Sequence, residues 1–172
     1  FAATIASGKC GGSAEWALTK DGTLTISGTG AMEDYDYTNR PEWDDHKDLI
    51  KTVKISDGIT DIGNDAFDSC KALAEVTMPD SVTSIGSAFC YCEKLTEITI
   101  PDSVTDIDGA AFFGCWALMD INVSRGNEAY CSIDGIVFNK SGSELIRFPS
   151  GRTGSYTIPD SVTSIGDYAF NG

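Results

Sequence analysis

Six cysteines, one histidine and 26 carboxylates are the side chains of this 172-residue chain that could do chemistry. Acyl transfer needs a nucleophile held by a base. The sole histidine, His46, lies in the charged run Asp44-Asp45-His46-Lys47-Asp48, with no nucleophile-elbow motif beside it. That run could also be a metal cluster, but a solvated acidic loop is the better reading. Asp34, Asp36 and Thr38 echo the start of a calcium loop. The sixth position, where glycine makes the sharp turn, is Asn39, and the twelfth is Asp45 instead of glutamate. Cys90-Tyr91-Cys92 is too tightly spaced for a zinc pair, and no second pair stands at a suitable distance. Paired carboxylates for glycoside cleavage would need a cleft to face each other across. The chain therefore reads as non-enzymatic, with no metal and no cofactor expected.

Charge narrows the partners. Twelve Lys and Arg against 26 Asp and Glu give a net charge of −14, which repels phosphate backbones and excludes nucleic acid. No apolar run approaches the roughly 18 residues of a membrane span. Hydrophobic residues at 41% and charged residues at 22% are a globular balance. The glycine- and threonine-rich composition suits a stiff all-β surface protein.

The elements that position these residues are repeats. Pro79-Asp80-Ser81-Val82-Thr83-Ser84-Ile85-Gly86 returns at Pro101–Asp108 and Pro159–Gly166, with a looser copy at Ser56–Gly63. The apolar residue before each motif is Ile55, Met78 or Ile100, and Val123 takes the next slot, giving steps of 23, 22 and 23 residues. Each complete copy reaches an Ala-Phe pair and then Cys70, Cys92 or Cys115 three residues on. A period of 22–23 residues falls in the leucine-rich repeat range. In Leu95–Ile100, Ile98 and Ile100 alternate inward, Pro101 ends the strand, and Val104, Ile107 and Phe112 line the return path. The expected fold is a β-rich leucine-rich repeat solenoid with one strand per repeat and little helix.

Two stretches break the period. From Val123 to Ile158 the step is 35 residues, and Ile133–Phe138 with Glu144–Phe148 around Asn139–Ser143 predict a β-hairpin insertion at about 130–149. Residues 1–48 are not repetitive. Trp16–Ile26, with Asp21-Gly22 at its turn, predicts an N-terminal β-hairpin cap over the end of repeats 49–172. The chain opens at Phe1 and stops at Ala169-Phe170-Asn171-Gly172, mid-unit, so the repeats are expected to continue. Cys70, Cys92 and Cys115 share one slot and read as buried free thiols, whereas the pairing of Cys10, Cys90 and Cys131 stays open.

The repeat form Ile-Pro-Asp-Ser-Val-Thr-Ser-Ile-Gly-x-x-Ala-Phe-x-x-Cys resembles the BspA-like leucine-rich repeat proteins of anaerobic bacteria. So does the segment Gly22–Met32 with Trp43. The resemblance covers about residues 8–172. It implies a bacterial secreted or cell-surface protein whose repeats bind proteins on a host, matrix or neighbouring cell, and it brings no catalytic residues.

Binding is expected on the concave face. One column holds Lys54, Thr77, Thr99 and Asn122, and the other Thr52, Glu75, Glu97 and Asp120. With strands about 4.8 Å apart, stacked carboxylates repel by about 0.9 kcal/mol per neighbour in water. That repulsion makes the Glu75, Glu97, Asp120 row the candidate for contact with a basic, adhesion-type protein partner. One alternative is a carbohydrate-binding module using Tyr35, Tyr37 and Trp43, which are interleaved with carboxylates. Another is a structural spacer within a larger surface protein.

Overall fold

The computed structural model describes residues 2–171; Phe1 and Gly172, the outer bounds of the two expected segments, lie outside the described residues. Three antiparallel strands open the chain: β1 (Thr4–Lys9), β2 (Ser13–Thr19) and β3 (Thr23–Ala31). Trp16, Leu18, Leu24 and Ile26 alternate onto one face and are buried there. Gly22, at φ 90°, closes the β2–β3 turn in a left-handed conformation that suits glycine.

Each repeat then contributes two strands, where one was expected. They are β4 (Thr52–Ile55) with β5 (Ile59–Ile62), β6 (Glu75–Thr77) with β7 (Ser84–Ile85), and β8 (Glu97–Ile100) with β9 (Asp106–Ile107). The extra strand comes from the Val-Thr-x-Ile part of the motif. Its apolar ends turn toward the core, and its last two residues pair with the same residues one repeat away. Two parallel ladders result. In one, Thr52 faces Glu75 and Val53 faces Val76; in the other, Ile62, Ile85 and Ile107 succeed each other. Strand β3 starts both, pairing with β4 through Thr23–Ile26 and with β5 through Gly30 and Ala31. The only helical segment among the described residues is a 3-10 turn, Asp44–Leu49.

The motif residues have separate duties. The carbonyls of Pro79, Pro101 and Pro159 accept the amide three residues on, which makes the turn after the strand. The Ser81 and Ser103 hydroxyls donate to the Ile59 and Val82 carbonyls of the preceding repeat. Phe67, Phe89 and Phe112 stack with ring centroids 5.3 and 5.9 Å apart and planes within 20°. Each cysteine behind them fills a small slot: Cys92 Sγ donates to the Phe67 carbonyl at 3.3 Å and Cys115 Sγ to that of Phe89 at 3.0 Å.

Within the 35-residue step the chain departs from the repeat at Asn127, which occupies the slot of Ile59, Val82 and Val104. It is fully buried, and all its hydrogen-bonding groups are engaged. Its Nδ2 donates to the Pro101 and Val104 carbonyls at 2.8 Å, and its Oδ1 accepts from the amides of Ala129 and Tyr130. Beyond β10 (Asp120–Val123) come β11 (Tyr130–Ile133), β12 (Ile136–Asn139) and β13 (Glu144–Arg147), joined antiparallel. The expected hairpin pairs β12 with β13. The expected continuous run Ile133–Phe138 is instead folded at Asp134-Gly135, whose φ values of 50° and 74° make a tight two-residue turn. Strand β14 (Ser164–Ile165) then pairs parallel with β13.

Because the phenylalanines touch across repeats, removing one opens two interfaces. Phe89→Ala is expected to lower the unfolding free energy by about 3–5 kcal/mol. Thr99→Ala on the exposed face should change it by less than about 0.5 kcal/mol. Urea denaturation of the two variants checks both values.

Candidate functional site

The face formed by β4, β6, β8 and β10 is built by simple alternation. Val53, Ile55, Ile98, Ile100 and Ile121 turn inward and are buried. Lys54, Glu75, Thr77, Glu97, Thr99 and Asn122 therefore turn outward and are exposed, with Asp120 half-buried. Register places Glu97 beside Asp120, Thr99 beside Asn122, Thr52 beside Glu75 and Lys54 beside Thr77. The ladder opens at its middle. Strand β6 bonds only to β4 and β8 only to β10, which leaves a hollow of about 190 Å³ between Glu75 and Glu97. The two edges facing that hollow carry backbone groups not used by the ladder.

The acidic row is unevenly compensated. Arg152 sends Nη2 to Asp120 Oδ1 at 2.7 Å and Nε to the Met119 carbonyl at 2.6 Å, and it also reaches the Asp134 carbonyl. The Asp120 charge is thus held within the fold by an arginine that lies 32 residues away, a separation that hid the pair from sequence reasoning. Glu75 and Glu97 form no ion pair among the described residues and face solvent.

The N-terminal aromatics are placed differently from a sugar platform. Trp43 is 1% exposed, stacks on Phe67 at 6.0 Å and donates Nε1 to the Ala66 carbonyl at 2.9 Å. It thereby heads the phenylalanine column. Tyr35 is buried against its edge, leaving Tyr37 as the exposed ring of the three. Other rings, which the repeat pattern did not single out, do face solvent. Tyr91 meets Phe113 and Trp116 edge-on at 5.3 and 6.0 Å, and Trp116 is 55% exposed. Tyr91 lies over Gly114, where an added Cβ would fall 2.5 Å from its ring. The signal available was positional: Tyr91 and Trp116 flank slot cysteines, where the chain turns outward.

The would-be calcium loop is a turn. Asp36 Oδ1 accepts from the Thr38 amide and hydroxyl, both at 2.6 Å, and from the Asn39 amide; these bonds hold its carboxyl below its usual range. His46 lies half-exposed in the 3-10 turn. Among the described residues, no three His, Cys, Asp or Glu side chains come together to hold a metal ion. Nor is any helix among them long and apolar enough to cross a membrane.

The BspA type leucine rich repeat region matches residues 45–154 and 150–172 in six copies. The chain belongs to the BspA-type leucine-rich repeat family. Its structure is similar to that of a leucine-rich repeat protein from Eubacterium ventriosum, with 30% sequence identity and a TM-score of 0.56, over 98% of this chain and 57% of that one. It also resembles the pneumococcal vaccine antigen PcpA in fold, with 19% identity and a TM-score of 0.53, over 99% of this chain and 62% of that one. The chain thus spans about three-fifths of the length of either. No curated protein sequence matches it.

In this BspA-type chain all six cysteines are free, and five are buried. Burial pushes the Cys70 thiol up to about 12, and burial together with nearby glutamates does the same for Cys10. Burial and nearby aspartates raise Cys90 likewise, while hydrogen bonding with the Cys115 thiol and burial hold Cys92 well up. Unfolding returns these thiols to an ordinary value of 9.0, so above that pH the unfolded state sheds protons that the fold retains. Their contribution is complete below pH 9 and is lost as pH rises toward 12. The melting temperature should fall across that window. At pH 8 a disulfide reagent should label half-buried Cys131 first and the others only on unfolding.

Proposed function

We propose that this chain is a non-catalytic, surface-displayed bacterial module, a solenoid of stacked repeats capped by its first three strands, that binds a basic protein partner on the β4–β6–β8–β10 face. The observation that carries this reading is the exposed pair Glu75 and Glu97 astride the opening between β6 and β8, neither of them in an ion pair among the described residues. Thr77, Thr99 and Asn122 add exposed hydrogen-bonding groups to the same face. Family membership and the acidic composition support the surface-display part of this reading.

A second reading has a specific observation behind it. The exposed Tyr91–Phe113–Trp116 group could stack a sugar ring, a role the buried Trp43 and Tyr35 are not placed to play. A spacer would use neither surface.

The test is binding to a panel of matrix and cell-surface proteins, by the wild type and by a Glu75→Lys, Glu97→Lys variant. Affinity should fall at least tenfold in the variant, and the wild-type affinity should weaken between 50 and about 300 mM salt. Binding unchanged by the variant overturns the site. Salt-insensitive binding of oligosaccharides with quenching of tryptophan emission, lost in Trp116→Ala, would favour the sugar reading. No binding in either assay would favour the spacer.

A further inference from the structure

The departure of the chain from its period at Asn127 leaves a cleft. The ladder β5–β7–β9 ends at β9, and the next strands to arrive, β13 and β14, belong to a separate sheet. Between them lies a cavity of about 480 Å³. Its apolar floor includes Phe112 and Val137, and its walls carry the phenols of Tyr130 and Tyr168. Three carboxylates, Asp108, Glu144 and Asp167, line it, and none forms an ion pair among the described residues.

One cation, Arg147, also borders the cleft. It is 6% exposed and its guanidinium is engaged elsewhere. Nη1 donates to the Tyr168 carbonyl at 2.6 Å and the Asn171 carbonyl at 3.1 Å, and Nη2 donates to Gly109. It ties three segments together and leaves the carboxylates uncompensated. Tyr168 stands at φ 62°, a left-handed conformation that bulky residues avoid, with its ring over Gly109. Carboxylates at the rim, aromatic faces on the walls and an apolar floor are complementary to an alkyl chain ending in a positive charge.

We propose that this cleft is a binding site for aliphatic cations, an ammonium or guanidinium on a flexible hydrocarbon arm, and that it is separate from the Glu75–Glu97 face. Such a group comes from a lysine or arginine side chain of a protein or from a free polyamine. The arm lies along Phe112 and Val137 while the charge meets Glu144 and Asp167.

Titration calorimetry with spermidine and with N-acetyl-lysine methylamide, paired with amide chemical-shift mapping, tests it. Binding should perturb residues 107–109, 130, 144–147 and 166–168. Affinity should drop at least tenfold in Glu144→Gln, Asp167→Asn, and stay within twofold in Glu75→Gln, Glu97→Gln. Tyr168→Leu, which removes the ring from an exposed position, should weaken binding as well. Preference for spermidine assigns the site to free polyamines, and preference for the lysine derivative to side chains of a partner. Equal loss in the two double variants would mean general attraction to an acidic chain and would overturn the proposal. So would perturbation confined to other surfaces, or no binding at millimolar concentration.

Discussion

Everything in the repeats depends on one phenylalanine resting on the next. Rings 5.3–6.0 Å apart set a rise close to the spacing of neighbouring β-strands, about 4.8 Å, so aromatic contact and backbone hydrogen bonds can be satisfied together. The small slot behind each ring then suits cysteine, whose thiol reaches the carbonyl one repeat back. The serine of the Pro-Asp-Ser turn does the same on the other side. A column of this kind needs a first member. Trp43 supplies it, with Trp16 and Tyr35 edge-on around it.

The coincidence of ring spacing and strand spacing is imperfect, and the two ladders absorb the mismatch differently. The β5–β7–β9 ladder runs through, whereas the ladder on the other face parts between β6 and β8. The parting falls at the exposed glutamates, so like-charge repulsion and the lost ladder bonds occur at one place. One row of carboxylates therefore divides into two kinds. Asp120 is held by Arg152 as part of the structure, and Glu75 and Glu97 form no ion pair among the described residues.

Much of this was legible in the primary structure because a repeat states its core several times over. The phenylalanine and cysteine slots, the inward Ile98 and Ile100 and the turn prolines could be read by alignment alone. What repetition did not cover was harder to see. Trp43 lies among acids and outside the repeats, yet it is the one indole placed to continue the phenylalanine column. Arg152 lies in an irregular loop, and nothing local ties it to Asp120. The second strand of each repeat is two residues long in β7 and β9, shorter than any alternation pattern can reveal. Asp134-Gly135 was a turn signal concealed inside an apparently continuous apolar run.

Asn127 has a consequence for how such a chain can change over time. By satisfying two carbonyls of the repeat below and two amides of the departing segment, one amide side chain closes off the ladder on one side and launches the excursion on the other. The excursion ends in β13, whose parallel partner β14 treats it as an ordinary neighbour. Excursion length is thereby decoupled from axial rise. Selection can enlarge or trim the segment between β10 and β13 without re-indexing a single residue of the repeats on either side.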